Sequence, residues 1–164
     1  MLKNLLKPEM KAWFDKSAGS ELYAHHLYQH VANNLQRIGL FGAQEYFVSE
    51  SNSELEHYRK LADFVNDMGS VISVPAVEKI TDSISSLSSA LDVAYEAEYE
   101  LLFQYQKFYE DAFFKSKDYA TAIFVEEYVK IQTQSVGEVA DLISRLKLGG
   151  DIYAMDKFMK KLAA

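Results

Sequence analysis

Helix-breaking residues punctuate this chain at so few places that their spacing nearly fixes what it can fold into. Only two prolines and seven glycines occur in 164 residues. Between them, apolar side chains recur at the three-and-four spacing of an amphipathic helix. The first run, α1 (residues 9–38), opens behind Pro8, a residue suited to a first helical turn, and its stripe is Phe14, Ala18, Ala24, Tyr28, Ala32 and Leu35. After a break at 39–42 comes α2 (residues 42–69), with Phe47, Leu61, Val65 and Met68 inward and Gly69 as its terminal cap. The pattern resumes in α3 (residues 89–114), through Leu91, Ala94, Tyr95, Leu101, Leu102, Tyr105 and Tyr109. A tight turn at 115–118 leads into α4 (residues 119–148), which buries Val125, Tyr128, Val136, Val139, Leu142, Ile143 and Leu146 and stops at Gly149-Gly150. A short α5 (residues 152–162) follows.

The segment from Ser70 to Ser88 is different: Ser-rich, with Pro75 and no sustained period, it is the one long connection. At ~3.3 Å per residue it reaches about 60 Å, whereas a helix of ~28 residues is about 42 Å long, so it can run the full length of a bundle. Short α1–α2 and α3–α4 connections make those pairs antiparallel; the long one lets α2 and α3 run parallel. The expected fold is all-α, a four-helix bundle with one crossover and a short fifth helix, in one domain over residues 1–164. A hydrophobic content of 49%, with eleven Tyr and ten Phe, is ample to fill one core with large rings.

Composition excludes several chemistries. There is no Cys, which removes disulfides, thiolate metal sites, iron–sulfur clusters and thiol nucleophiles. A net charge of −7 without any Lys/Arg run argues against nucleic acid as a partner, and suits solubility or the attraction of cations. Residues 1–10 lack an apolar core of signal-peptide length, and no apolar run nears the ~18 residues that span a membrane, so the expected location is the cytoplasm, away from any membrane.

Against that background Glu54-Leu-Glu-His57 stands out. Residues three apart share a helix face, and carboxylate with imidazole suits iron or zinc. Alone, the pair is common on solvated helices. What strengthens it is that Glu21, Glu98 and Gln132 each interrupt the apolar stripe of a different helix, at mid-height once the helix directions above are applied. Buried carboxylates need a compensating charge, and two divalent metal ions supply it. Glu54, standing between the α1 and α3 carboxylates, is the natural bridge.

These residues also resemble those of a known family, the non-haem ferritins. Leu6-Lys7-Pro8-Glu9-Met10, Glu21-Leu22-Tyr23, Leu27-Tyr28, Glu54 to His57, Tyr95 to Glu98, Tyr128-Val129, and Tyr153 with Asp156-Lys157 match ferritin landmarks at near-gapless spacing. The resemblance implies a ferritin-like bundle, a homo-oligomeric cage of twenty-four subunits, oxidation of Fe(II) by O2 or H2O2, and storage of Fe(III) mineral. It implies two irons per subunit, the first held by Glu21, Glu54 and His57, the second by Glu54 and Glu98 with Gln132 close by. Tyr28 matches the family's tyrosine beside that centre; its hydroxyl is placed to bond a ligand or give an electron, or simply to pack in the core. Glu56 matches a cavity-facing carboxylate that helps nucleate mineral, with a solvated helix position as the plainer reading.

Departures from the bacterial pattern are equally specific. Ser53, Ile131, Gln134 and Ser135 stand where bacterial ferritins usually carry the carboxylates of a third iron site, so none of the usual type is expected. Leu55 stands where a bacterioferritin places its haem-ligating Met, so haem is not expected. His25, one turn after Glu21, is either a ligand or a packed histidine with one hydrogen bond, the commoner case. His26 and His30 are assigned to the outer or intersubunit face. Competing readings are a mini-ferritin that protects DNA from iron and peroxide, disfavoured by α5, and a cage whose oxidase activity is weakened by the missing α4 carboxylate. A rubrerythrin-like peroxidase normally needs a second E-x-x-H, and all four His lie at 25, 26, 30 and 57.

Overall fold

The computed structural model describes residues 1–163, and within them every regular element is helical. The helices are α1 Pro8–Arg37, α2 Phe41–Asp67, α3 Leu87–Glu110, α4 Tyr119–Lys147 and α5 Ile152–Leu162. Each boundary has a local cause. Pro8 occupies the first turn of α1, where its missing N–H costs nothing. At the end of α2 the backbone turns through Gly69 at φ 80°, where a Cβ would stand 2.3 Å from the Lys3 carbonyl oxygen, so the N-terminal arm lies directly on that turn. Asp118 and Asp151 cap α4 and α5 through the backbone N–H of Thr121 and Tyr153.

Two boundaries depart from the sequence expectation. The third helix starts two residues earlier than Ser89, because Ser86 and Ser89 form a reciprocal capping box and Leu87 is then buried. At its other end the α-helix gives way to a π-helical turn, Asp111–Lys115, which the apolar period does not reveal.

The bundle's core divides into two apolar clusters with a polar layer between them. One gathers Phe14, Leu61, Val65, Leu101, Phe108 and Val125. The other gathers Val31, Leu35, Phe47, Leu91, Val139 and Leu142. Along α1 and α4 the chain passes from the first cluster to the second; along α2 and α3 it passes from the second to the first. So α2 and α3 run parallel, joined by the crossover that the 70–88 segment was long enough to provide. Glu54, Glu98 and Gln132 fall between the two clusters on their respective helices, and Glu21 lies between Ala18 and Ala24 of the first cluster, close to where α1 passes to the second; all four are buried. His30 is half-buried, its Nε2 2.7 Å from the Asp82 carbonyl oxygen, so that it pins the crossover against α1.

The fifth helix closes one end. Its Met155 and Met159 enter the Phe47–Leu91 cluster, and the Arg145 guanidinium lies 3.8 Å over the Phe158 ring.

Candidate metal centre

Three side chains meet at the mid-height of the bundle. One ligand atom each from Glu21, Glu54 and His57 lies within 4.8 Å of the others. His57 Nδ1 is 3.2 Å from Glu54 Oε2 and 3.6 Å from Glu21 Oε2. The α2 pair shares a face because its members are one helical turn apart; Glu21 arrives from the antiparallel α1. Tyr128 of α4 steadies the base of the histidine's helix, its hydroxyl donating to the His57 carbonyl oxygen at 2.7 Å.

The fourth helix and α3 supply the other half. Gln132 donates from Nε2 to Glu98 Oε2 at 2.6 Å, and the Tyr28 hydroxyl donates to Glu98 Oε1. The Tyr105 hydroxyl likewise donates to Glu21 Oε1. Glu98 therefore has both oxygens engaged, while Glu21 Oε2 and Gln132 Oε1 are buried with no hydrogen-bond partner. Buried polar atoms of that kind are rare and costly.

Electrostatics sharpen the point. Burial drives Glu54 well above the ordinary glutamate range, and the adjacent Glu21 charge adds to the effect. Burial also pushes on Glu21, but the nearby His57 and Glu54 and the hydrogen bond from Tyr105 outweigh it and hold Glu21 low. The two neighbours are thus pushed in opposite directions, Glu54 toward its protonated form and Glu21 toward its charged form. Burial raises Glu98 as well, against the hydrogen bonds from Tyr28 and Gln132. A donor set of three carboxylates, an imidazole and an amide, with one carboxylate oxygen already unpartnered, fits hard or borderline cations such as iron.

The comparisons with known proteins fall on the same side. The model of the Ferritin family, described as a ferritin-like domain, matches residues 12–149. The chain belongs to the ferritin family. Among similar proteins are the bacterial non-heme ferritins of Escherichia coli O6:H1 (27% identical, covering 96% of this chain and 98% of the relative) and of Campylobacter jejuni (23% identical, 97% of each). A solved structure, the open pore ferritin of the archaeon Archaeoglobus fulgidus, superposes with a TM-score of 0.90 at 27% identity over 96% of this chain and 98% of that one.

In this ferritin the residues singled out from sequence divide into two groups. Glu21, Glu54, His57, Glu98, Gln132 and Tyr28 sit together in the buried layer, linked as described above. His25 and Glu56 do not join that hydrogen-bonded set. His25 Nδ1 lies 2.8 Å from both the Oγ and the carbonyl oxygen of Ser51, as expected of a packed histidine. Glu56 is exposed and pairs with Arg59. Two further residues of the layer are not assigned to this centre by the sequence reading, although Glu50 with Glu54 and the α1 histidines resembles the metal site of the mini-ferritin alternative. Tyr105 was read as core, although its spacing of seven residues from Glu98 repeats that of Tyr28 from Glu21. Glu50, one turn before Glu54, is raised to about 7, first by burial and then by the charges of Glu98 and Glu138.

Proposed function

We propose that this ferritin stores iron, and that it oxidises Fe(II) at a dinuclear centre inside each bundle. The observation that carries the reading is the buried meeting of Glu21, Glu54 and His57, on a chain of this family, with Glu98 and Gln132 in the same layer. Glu21 and His57 are the terminal ligands of one iron, Glu98 with Gln132 alongside holds the other, and Glu54 bridges. Tyr28 orients Glu98 through its hydrogen bond.

The chemistry is balanced by the substrate. Two ferrous ions give one electron each to dioxygen, which takes up two protons and leaves as hydrogen peroxide; peroxide as oxidant takes the same two electrons and leaves as two hydroxides. The protein's part is to hold two cations at one place, to present its carboxylates to them in ionised form, and to exclude bulk water from the reaction. Ferric product passes to a cavity enclosed by twenty-four copies, in the cytoplasm, where it is stored as mineral. That large cage, rather than a twelve-subunit DNA-protecting shell, is favoured by the presence of α5.

Stopped-flow oxidation of Fe(II) under air tests the reading. The wild type is expected to oxidise iron far faster than buffer, and Glu54→Ala to fall close to the buffer rate, since both irons lose a ligand. Equal rates for the two proteins would refute the site.

A further inference from the structure

Each terminal carboxylate of the centre has its own buried phenol, and the pairing is crossed. Tyr28 of α1 donates to Glu98 of α3, and Tyr105 of α3 donates to Glu21 of α1. A repeated spacing on antiparallel helices produces this. Tyr28 stands seven residues after Glu21 and Tyr105 seven after Glu98. That is about 10.5 Å along each axis, and because helical side chains lean toward the N-terminus, each ring folds back onto the facing helix's carboxylate.

The two halves differ in readiness. In the Glu98 half both carboxylate oxygens are engaged, by Tyr28 and Gln132, and only the neutral amide oxygen Gln132 Oε1 is free. Glu21 Oε2 is unpartnered and lies with Glu54 and His57 in the one cluster, among the described residues, whose ligand atoms already converge. On that geometry the first ferrous ion is expected in the Glu21 half, which gives a singly loaded centre whenever iron is scarce. A lone ferrous ion is hazardous beside hydrogen peroxide: splitting the O–O bond into two hydroxides takes two electrons, and one electron leaves a hydroxyl radical.

Granting the iron-oxidation reading above, we infer that Tyr105 supplies the missing electron to peroxide in the singly loaded centre. In this step the ferrous ion gives one electron and becomes ferric, and the Tyr105 phenol gives the second. The O–O bond breaks, one oxygen leaves as hydroxide, and the other takes the phenolic proton, relayed through the Glu21 carboxylate, and leaves as water. A neutral tyrosyl radical remains, and the next ferrous ion, with one proton, restores the phenol and becomes ferric.

Three observations place the role on Tyr105. Its hydroxyl is bonded to the carboxylate of the half that fills first, so the electron leaves from one side chain beyond the ion. Its proton has an acceptor already in place at Glu21 Oε1, which spares the interior a buried radical cation. And the ring is wholly buried and stacked on Tyr128 with centroids 4.9 Å apart, Phe124 lying behind it, so the radical is screened from solvent. Tyr28 has the same chemistry on the half that fills second.

The test uses the assembled protein, loaded without oxygen with one ferrous ion per chain, mixed with hydrogen peroxide and frozen for electron paramagnetic resonance. A parallel sample carries a spin trap for hydroxyl radical. The wild type is expected to show a tyrosyl signal and little trapped radical. Tyr105→Phe, which keeps the ring stack, is expected to lose the signal and to trap radical at the level of free iron; Tyr28→Phe, although it loosens Glu98, is expected to keep the tyrosyl signal, because the Glu98 half is empty in this sample. A signal that survives in Tyr105→Phe, that disappears in Tyr28→Phe, or that is absent from the wild type overturns the inference. Binding of one Co(II) per chain, followed by its visible absorbance, is measured on all three proteins: if Co(II) binds and the radical results go the wrong way, only the role of Tyr105 fails, whereas absent Co(II) binding in the wild type removes the metal centre itself.

Discussion

At the scale of residues, the buried layer is a set of acids held in one another's company. Burial leaves Glu50 at about 7 against an ordinary 4.5, with Glu98 and Glu138 adding to the shift. Glu54 and Glu98 move the same way, again first through burial. An acid that keeps its proton more tightly when folded contributes stability in full below the ordinary glutamate value, and loses it as pH rises through the folded value. Glu21, held low, has the opposite sign and matters only as pH falls below the usual carboxylate range. The metal-free protein is therefore expected to melt lower at about pH 8 than at about pH 5.5, and added Zn(II) to cancel most of the difference. Glu50→Gln is expected to raise the metal-free melting temperature at the higher pH by about 1–2 kcal/mol, or roughly 2–8 °C, allowing for that side chain's partial contact with water. Thermal melts across pH decide it; an unchanged slope in Glu50→Gln would remove Glu50 from the acidic network.

Between elements, the attachment of α5 rests on one carboxylate. Leu40 precedes α2 without any side-chain cap, and the role falls to Asp156 of α5, whose oxygens accept from the Gly42 and Ala43 backbone N–H groups at 3.1 and 2.8 Å. The carboxylate thereby meets the positive end of a helix in a buried setting. Gly42 is required there because a Cβ would stand 2.1 Å from the Asp156 carbonyl oxygen. Asp156→Ala should cost about 2–3 kcal/mol, combining a lost cap with two stranded donors. Hydrogen exchange should then rise throughout α5 while the buried layer keeps its protection; unaltered exchange in α5 would show that Met155 and Met159 alone hold it. The Asp156 motif was legible in the sequence as a ferritin landmark. Its partner was not, because an aspartate on one helix gives no sign of which helix start it will cap.

At the scale of the whole molecule, several large apolar side chains lie exposed near one another. Phe114 is 66% exposed, Tyr119 54% and Ile123 70%, around the π-helical turn and the start of α4. Contiguous apolar surface of this kind marks an interface, and in the proposed cage other copies cover it. Light scattering is expected to find a particle of twenty-four 18.7-kDa chains. Ile123→Lys should reduce it to smaller species of unchanged helicity, because a charge without a partner would be buried at the contact. A full-size particle from that variant would place the contact elsewhere. A twelve-subunit particle from the wild type would favour the shell-type alternative.

The sequence by itself determined the helices, their order and the parallel pairing of α2 with α3, because apolar periodicity and the length of the 70–88 segment leave one bundle topology that buries every stripe. It also placed Glu21, Glu54, Glu98 and Gln132 at one level, since level follows from residue count at 1.5 Å per residue. Only the tertiary structure decided which oxygens are taken and which are free. Whether Tyr105 bonds Glu21 or merely packs, whether His25 turns to Ser51 or to the metal, and where α3 passes into a π-turn all depend on rotamers and on facing helices, which the pattern of a single strip of chain does not encode.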